Sequence, residues 1–508
     1  ANMMLNATVQ PDFGQVEADP SVLNLSPFET FFSEKRPFFV EGSRAFDHNA
    51  FNLFYSRRIG TGDENSRIRF ASKLTGKTSS NITVAALAAA TDVTADGEAW
   101  NPFAAGERQA RYGVIRLGRE SSDGSRSVHV MQTAVVRDDH DWGDNDGERD
   151  HRDGYATGID FDLNLLDRDW NVNGSFVRTQ VDPHGNVVDA GLSPETKVGT
   201  GGALRLSRQG GKLRGGLSGS WEHDRFDPND AGRLSAPDEV TSSGWIQYNF
   251  DSDGEDRFLR SGNIRARLNK SWLYAGRTVT SSDNPNEVLW SYDARHHQDI
   301  GGNFGVNLQT RSFWNAWAGV WRHGEGVSKY DTRTWNGERG PLVKRPGRQG
   351  MWLGFQSDWR NDFNASVDLN LSETDNGGRS TSLHTGMSWV QSDQVNHSLS
   401  LGFNDNVTAN QWVDNVESET GIGGVGYLFG RLDRRTWDLT WRSNVLFDRN
   451  RSLELYVQPF LTVGDYSDVR ELAAPNSLEF NDYEAEGYDV RNRDFSYAAV
   501  NVNLVYRW

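Results

Sequence analysis

The chain has 508 residues, a formal charge of -17, a pI near 5.1, no cysteine and a mean hydropathy of -0.67. Its 18 Trp, 14 Tyr and 26 Phe separate it from disordered acidic chains, which lack aromatics. The acidic balance disfavours nucleic acid, whose phosphates require clustered Lys and Arg, and the missing cysteines exclude disulfides and thiolate metal sites.

Residues 1–10, ANMMLNATVQ, are strand-like, and with no signal peptide in front they read as a mature or trimmed start. Residues 11–51 then break any alternation. Ser26, Pro27 and Glu29 form a helix-start signature, a capping hydroxyl followed by proline and then a carboxylate. The reading predicts a short helix carrying Phe28, Phe31 and Phe32 on one face and stopped by Pro37. Phe38 and Phe39 follow, and the charges Glu29, Glu34, Lys35, Arg36 and Glu41 are interleaved with the rings.

From residue 52 onward the dominant signal is period two. TGIDFDLNLL sets Ile159, Phe161, Leu163 and Leu165 against Asp160, Asp162 and Asn164. NASVDLNLS, RTWDLTWRSNVLF and SLELYVQPFLTV repeat the pattern, and the chain ends AAVNVNLVYRW with Val500, Val502, Leu504, Tyr506 and Trp508 on one side. Side chains of a strand point alternately to opposite faces, so each segment has one apolar and one wet side. The longest apolar stretch, ITVAALAAA at 82–90, falls far short of a membrane-crossing helix, but a transmembrane β-barrel crosses with such alternating strands.

Strands such as RQARYGVIRLGRES are long, and polar turns at 121–124, 208–211 and 251–254 alternate with extended acidic stretches at 138–154 and 227–239. Short turns at one end and long loops at the other is the outer-membrane barrel pattern. Trp290, Trp314, Trp317, Trp321, Trp352 and Trp359 fit interfacial girdles, and Arg116, Arg119, Arg265 and Arg267 suggest a lumen of both signs. The fold class expected is all-β: a large antiparallel transmembrane barrel of about 22 to 26 strands, at roughly twenty residues per strand and connection. In it, residues 1–10 are the first strand, 11–51 a plug-like insertion into the lumen, and 52–508 the remaining barrel. A cap at the periplasmic mouth is the alternative home for the insertion.

The stretch TVQPDFGQVEADPSVLNLSPFETFFSEKRPFFVEG, followed by LFYSRRIG, resembles the opening of the barrel region in the bacterial family called domain of unknown function 5916. LVKRPG at 342–347, FGRLDRRTWDLTWR at 429–442 and LELYVQPFLTVGDYSDVRELAAP at 453–475 are similar to the same family, so the resemblance spans the chain. It implies an integral protein of the bacterial outer membrane, often preceded by a family-nine-like carbohydrate-binding module that this sequence lacks. Its members tend to run one strand further. It brings no catalytic residues.

Chemistry is sparse. Asp251, Asp253 and Asp256 in DSDGED, and DNDGE at 144–148, echo calcium loops without the full twelve-residue frame. His129, His296, His297, His384 and His397 have no nucleophile elbow nearby. The basic run KRPGRQG at 344–350, with Arg57, Arg58, Arg67 and Arg69, suits a solvated rim or pairing with the insertion.

The expectation is therefore a monomeric barrel, not an enzyme, with no cofactor, embedded in outer-membrane lipid and lipopolysaccharide. Its role is transport or surface binding of a glycan or small solute past the plug, for which Phe28, Glu29, Phe31, Phe32, Glu34, Lys35, Arg36, Phe38, Phe39 and Glu41 are the candidate contacts. The rivals are an anchor or assembly component joined to other envelope proteins, and a barrel-embedded hydrolase.

Overall fold

In chain order, each strand of the main sheet pairs antiparallel with the one before it, except the last, Phe495–Arg507, which pairs with Ser452–Leu472 past the three-residue Phe480–Asp482. The computed structural model describes residues 2–11, 19–60, 66–93, 110–137, 151–184, 195–252, 254, 258–281, 286–332, 340–483 and 488–508. Among these, 21 strands join one sheet, and two further pairs, Arg277–Thr280 with Val288–Tyr292 and Gly326–Ser328 with Val343–Arg345, stand apart from it. Among the described residues the main sheet thus holds 21 strands, against the about 22 to 26 expected for the whole chain. The averaging fails because Val395–Ile422 and Val425–Leu446 are 28 and 22 residues long, and because the two small pairs fold within connections.

Two faces run unbroken through the sheet. Arg116 lies opposite Met131, and the register then passes through Gly158, Val177, Gly201 and Glu222 to Glu239. On that same face Trp245 opposes Arg267, which leads through Asn303 to Trp321. The walk from the C-terminal side, through Asp438, Gly402, His384, Asp368 and Gly354, arrives at Trp317. This face carries buried and polar residues. The opposite face is bare and apolar: Leu5, Ile115, Leu117, Leu204, Leu217, Ile246, Leu268, Phe304, Val320, Leu353, Val367, Leu401 and Val500 are all exposed, Leu268 by 72% and Val500 by 66%. Ile159 of TGIDFDLNLL and Leu461 of SLELYVQPFLTV fall on this apolar side, as their alternation predicts.

Connections differ by end. At one end they are short: 78–81, 121–125, 166–169, 209–212, 311–314, 357–362, 393–394 and 447–451. At the other they include 10–65, 223–238, 273–296, 324–347 and 473–494. Exposed aromatic rings of the apolar face gather toward the short-turn end, among them Tyr248, Trp314, Phe355, Phe363, Trp389 and Tyr506. Trp317, Trp321 and Trp352 do not join them. They lie on the other face, because each is an odd number of positions from Trp314 or Phe355 in a strand where sides alternate.

The long connection between the first two strands folds against the packed face. Phe39, Phe46, Phe51, Leu53 and Ile59 form one core with Ile68, Ala71, Leu87, Val114, Met131, Val135 and Val177 of the strands. Gly60 reaches Ile68, while Gly42, whose left-handed φ of 66° favours glycine, abuts Thr75. Seven strand positions separate those contacts, about 23 Å of depth at the usual rise. The 223–238 connection joins the same core through the fully buried Phe226, edge-on to Phe51 at 5.1 Å. Residue 21 touches the far side of the sheet: Ser21 N–H donates to Gln458 Oε1 at 3.2 Å and Asn501 Nδ2 donates to Ser21 Oγ at 3.0 Å. Among the described ladders, none joins Asn2–Val9 to Phe495–Arg507.

The expected helix is displaced. Residues 29–36 are not helical, and the four-residue helix Pro37–Val40 starts at the proline that was read as its end. Asn24 explains the change, since its Oδ1 accepts from Ser26 N and Ser26 Oγ, at 2.9 and 2.7 Å, and its Nδ2 donates to Phe28 O. A local side-chain turn thus competes with the helix, and proline at a first helical position is favourable. Residues 52–60 also differ, forming no strand; Ser56–Arg58 is a short 3-10 turn within the packed segment. Replacing Phe226 by Ala removes a fully buried ring, and a loss of about 3–5 kcal/mol is expected. Faster protease cleavage within 223–238 and 19–60, with the strands still protected, is the measurement that checks it.

Candidate functional site: the inserted segment and its buried ion pairs

The segment is held by ion pairs made mostly within itself. Glu34 meets Arg36 through two bonds, at 2.8 Å from Nε and 2.7 Å from Nη2. Arg36 spends its remaining donors on the carbonyls of Ile59 (2.6 Å) and Ser56 (2.8 Å), and Ser56 Oγ donates to Glu34 Oε2 at 2.6 Å. Guanidinium and carboxylate thereby tie the 34–36 strip to the returning 56–59 strip, and the guanidinium lies 4.3 Å over the Phe39 ring. Burial pushes the Glu34 carboxyl up, but Arg36 and Ser56 outweigh it and hold it below the usual range.

Nearer the long-connection end, Arg58 grips Glu29 with two bonds of 3.0 and 2.6 Å and also donates to Gly232 O. Arg233 donates to Glu29 O and sits over Phe31, which stacks on Tyr55 at 5.3 Å. The Tyr55 hydroxyl donates to Phe32 O at 2.8 Å and accepts from Phe32 N–H. Lys35 faces Asp19 at 3.7 Å, and Arg57 pairs with the same carboxylate. Phe28 meets Tyr330 edge-on, while Glu41 accepts from Asn6 of the first strand at 2.6 Å. Lys73 of the second strand donates to the carbonyls of Phe38 and Glu41. Arg57 and Arg58 thus pair with the insertion, with Asp19 and Glu29. Short hairpin-like returns bring Glu29, Glu34 and Lys35 close to opposite charges of their own segment first.

Four groups that the sequence reading did not join meet where the segment packs on the strands. Asp160 is fully buried and receives both Arg116 nitrogens, at 2.6 and 3.0 Å. His48 Nε2 approaches it at 3.8 Å and His129 Nδ1 at 3.5 Å. His48 Nδ1 accepts the Phe51 N–H at 3.3 Å, which leaves Nε2 as the nitrogen carrying hydrogen toward the carboxylate. Burial holds the imidazole below its ordinary pKa, against the pull of Asp160. The polar parity of TGIDFDLNLL and RQARYGVIRLGRES already placed Asp160 and Arg116 on wet faces; their meeting depends on register, which sequence spacing does not fix. Arg119 falls on the apolar side instead, close to a short turn.

A second buried centre anchors the 223–238 connection. Asp230 Oδ1 accepts from Arg137 Nη1 at 2.8 Å and Arg152 Nε at 3.1 Å, and Asp227 adds a weaker contact to Arg152. Burial raises the Asp230 carboxyl, but Arg152 and Arg137 more than offset it and keep it low. Arg345 of the basic run pairs with Asp331 at 3.0 Å. Asp251 stands exposed at a strand end, while Asp253, Asp256 and residues 144–148 lie outside the described residues. Among the described residues no group of three or more His, Asp or Glu is placed to hold a metal ion.

Two outcomes follow from this chemistry. Arg116→Met strands Asp160 without its cation and costs about 3–5 kcal/mol, whereas the Arg116→Met, Asp160→Leu pair recovers most of it; unfolding midpoints of the three proteins check this. His48 has a folded pKa below its unfolded one, so its contribution is complete above about pH 6.5 and declines as pH falls through that window. Proteolysis within 19–60 should quicken several-fold between pH 7 and 5, and His48→Gln should flatten that rise.

No curated protein matches the chain. Among solved structures it is similar to the FrpB iron transporter from Neisseria meningitidis: the F3-3 variant gives 11% identity and a TM-score of 0.44, over 82% of this chain and 74% of that one. The F5-1 variant gives 11% and 0.43, over 80% and 78%. The ferric-catecholate import receptor Fiu from E. coli K12 gives 9% and 0.33, over 82% and 77%. Such scores leave the ligand of this chain undetermined. The family model described as domain of unknown function (DUF5916) matches residues 1–508, and the chain belongs to that family.

Proposed function

We propose that the chain is an integral outer-membrane β-barrel whose interior binds or passes a solute, with residues 19–60 as an inward-folded plug. The observation that carries this reading is the continuous apolar face, exposed from Leu5 to Val500. A soluble sheet would cover such a face with a second layer, and large exposed apolar patches mark interaction surfaces. Lipid covers it in the proposed setting, and the rings gathered at the short-turn end match an interfacial girdle. Closure in lipid removes both sheet edges; the Ser21 bridge to Gln458 and Asn501, reached by a segment that also packs on the second to seventh strands, supports a sheet curved back on itself.

The plug enters from the end with the long connections, because it is itself one of them. That favours an inward-folded surface loop over a cap at the other mouth. With the Glu34–Arg36 and Glu29–Arg58 pairs made inside the segment, it can narrow the interior as a unit without stranding those charges.

Planar-bilayer recording of the full chain and of a form lacking residues 20–45 tests the reading. Low or no current in the full chain and stable unitary conductance in the shortened form is the expected pair. Silence from both forms, with a stoichiometric protein partner copurifying, points instead to an anchor.

A further inference from the structure

We infer that the wall opposite the plug carries a binding track for a linear, neutral oligosaccharide, built on Trp317, Trp352 and Trp321. The inference rests on the reading of these strands as a wall around a solute path. It names what that path takes.

The three indoles form rungs along one pair of strands. Trp317 opposes Gly354, Trp352 opposes Gly319 and Trp321 opposes Gly350, all on the packed face. Each rung lies two residues from the next, about 6.6 Å, so the track covers about 13 Å of depth. Every ring rests on its glycine: a side chain at Gly319 would overlap the Trp352 ring, and the same holds for Trp317 over Gly354 and Trp321 over Gly350. Glycine thus lets each indole lie down on the backbone and turn its other face away from the sheet. All three remain only half-buried.

The flanks select the ligand class. Trp317 Nε1 donates to Asp368 Oδ1 at 3.1 Å, which fixes that ring and leaves the carboxylate lone pairs beside it. Amides line the neighbouring strands on the same face: Gln309 donates to Asn315 at 3.1 Å and Asn307 to Asn263 at 3.0 Å, each amide retaining further donors or acceptors. At the long-connection end the track opens into a cavity of about 370 Å³ shared by Trp321, Arg348, Asn406 and Asn410. Flat apolar rings spaced along a line, edged by planar amides, match a chain of pyranose units, whose C–H faces stack on indole and whose rims carry hydroxyls. A lipid would leave the amides unpaired. An anion would meet the Asp368 carboxylate beside the Trp317 ring, although Lys344, Arg345 and Arg348 line the cavity at the end of the track.

The test uses the full-length protein in detergent, titrated with maltohexaose, cellohexaose and chitohexaose, with binding read by calorimetry and tryptophan fluorescence. Saturable binding of at least one hexasaccharide is expected. The Trp317→Ala, Trp352→Ala pair should weaken it about tenfold, from two lost stacking contacts. Trp352→Phe should retain most of the affinity, and Trp389→Ala on the apolar face should change nothing. Unaltered heat-modifiable gel migration shows that each variant is folded. No saturable binding by any of the three sugars, or binding indifferent to the paired substitution, overturns the proposal. Sugar binding without current in either bilayer form keeps the track and sinks the transport reading; current without sugar binding does the reverse.

Discussion

Every other feature of this molecule depends on parity kept around the sheet. Because side chains alternate, a one-residue slip in any ladder would send a buried cation to the apolar side and a leucine to the polar side. The registers between Ala110–Glu120 and Leu213–Glu222 carry no such slip. That is what brings Arg116 to the same side as Asp160, two strands away. The irregularities that do occur, such as that between Ile68 and Phe70, are followed by a return to the same sides.

Burying ions is costly unless they are paired, and the molecule pairs them in small closed groups. Asp160 with Arg116 links two strands across the one between them, Asp230 with Arg137 and Arg152 ties a long connection to the strands, and Glu34 with Arg36 is bonded in turn to the returning 56–59 strip. Between them the phenylalanines supply apolar packing that needs no partner geometry. Rings and charges alternate through residues 28–41 because each has its own task. The rings face strand walls or tyrosines, and the charges stitch the segment to its own return.

The strands were legible because their alternation is local and repeated. NASVDLNLS needs no knowledge of its neighbours to show two faces, and Phe363–Thr374 is a strand with Leu369 opposite Leu383 on the apolar side. The two ends of the sheet were legible for the same reason, through loop lengths. The insertion was harder. Ser26, Pro27 and Glu29 do look like a helix start, but Asn24 captures Ser26 first and Tyr55 takes the backbone of Phe32, contacts that pattern alone does not reveal. The indole track was hidden because Trp314 and Trp317 look equivalent in sequence and differ only in which side they meet.

Ser21 precedes Gln458 by 437 residues and Asn501 by 480, whereas most ladders join neighbours in the chain. Closing a loop that long carries an entropic cost that local hairpins do not, so we expect these contacts to form after the hairpins. The second to seventh strands share one core with residues 38–59. Under the barrel reading proposed above, the final strands arrive at a prepared seam, and residues 19–60 serve as the template on which the two extremities of the polypeptide are brought together.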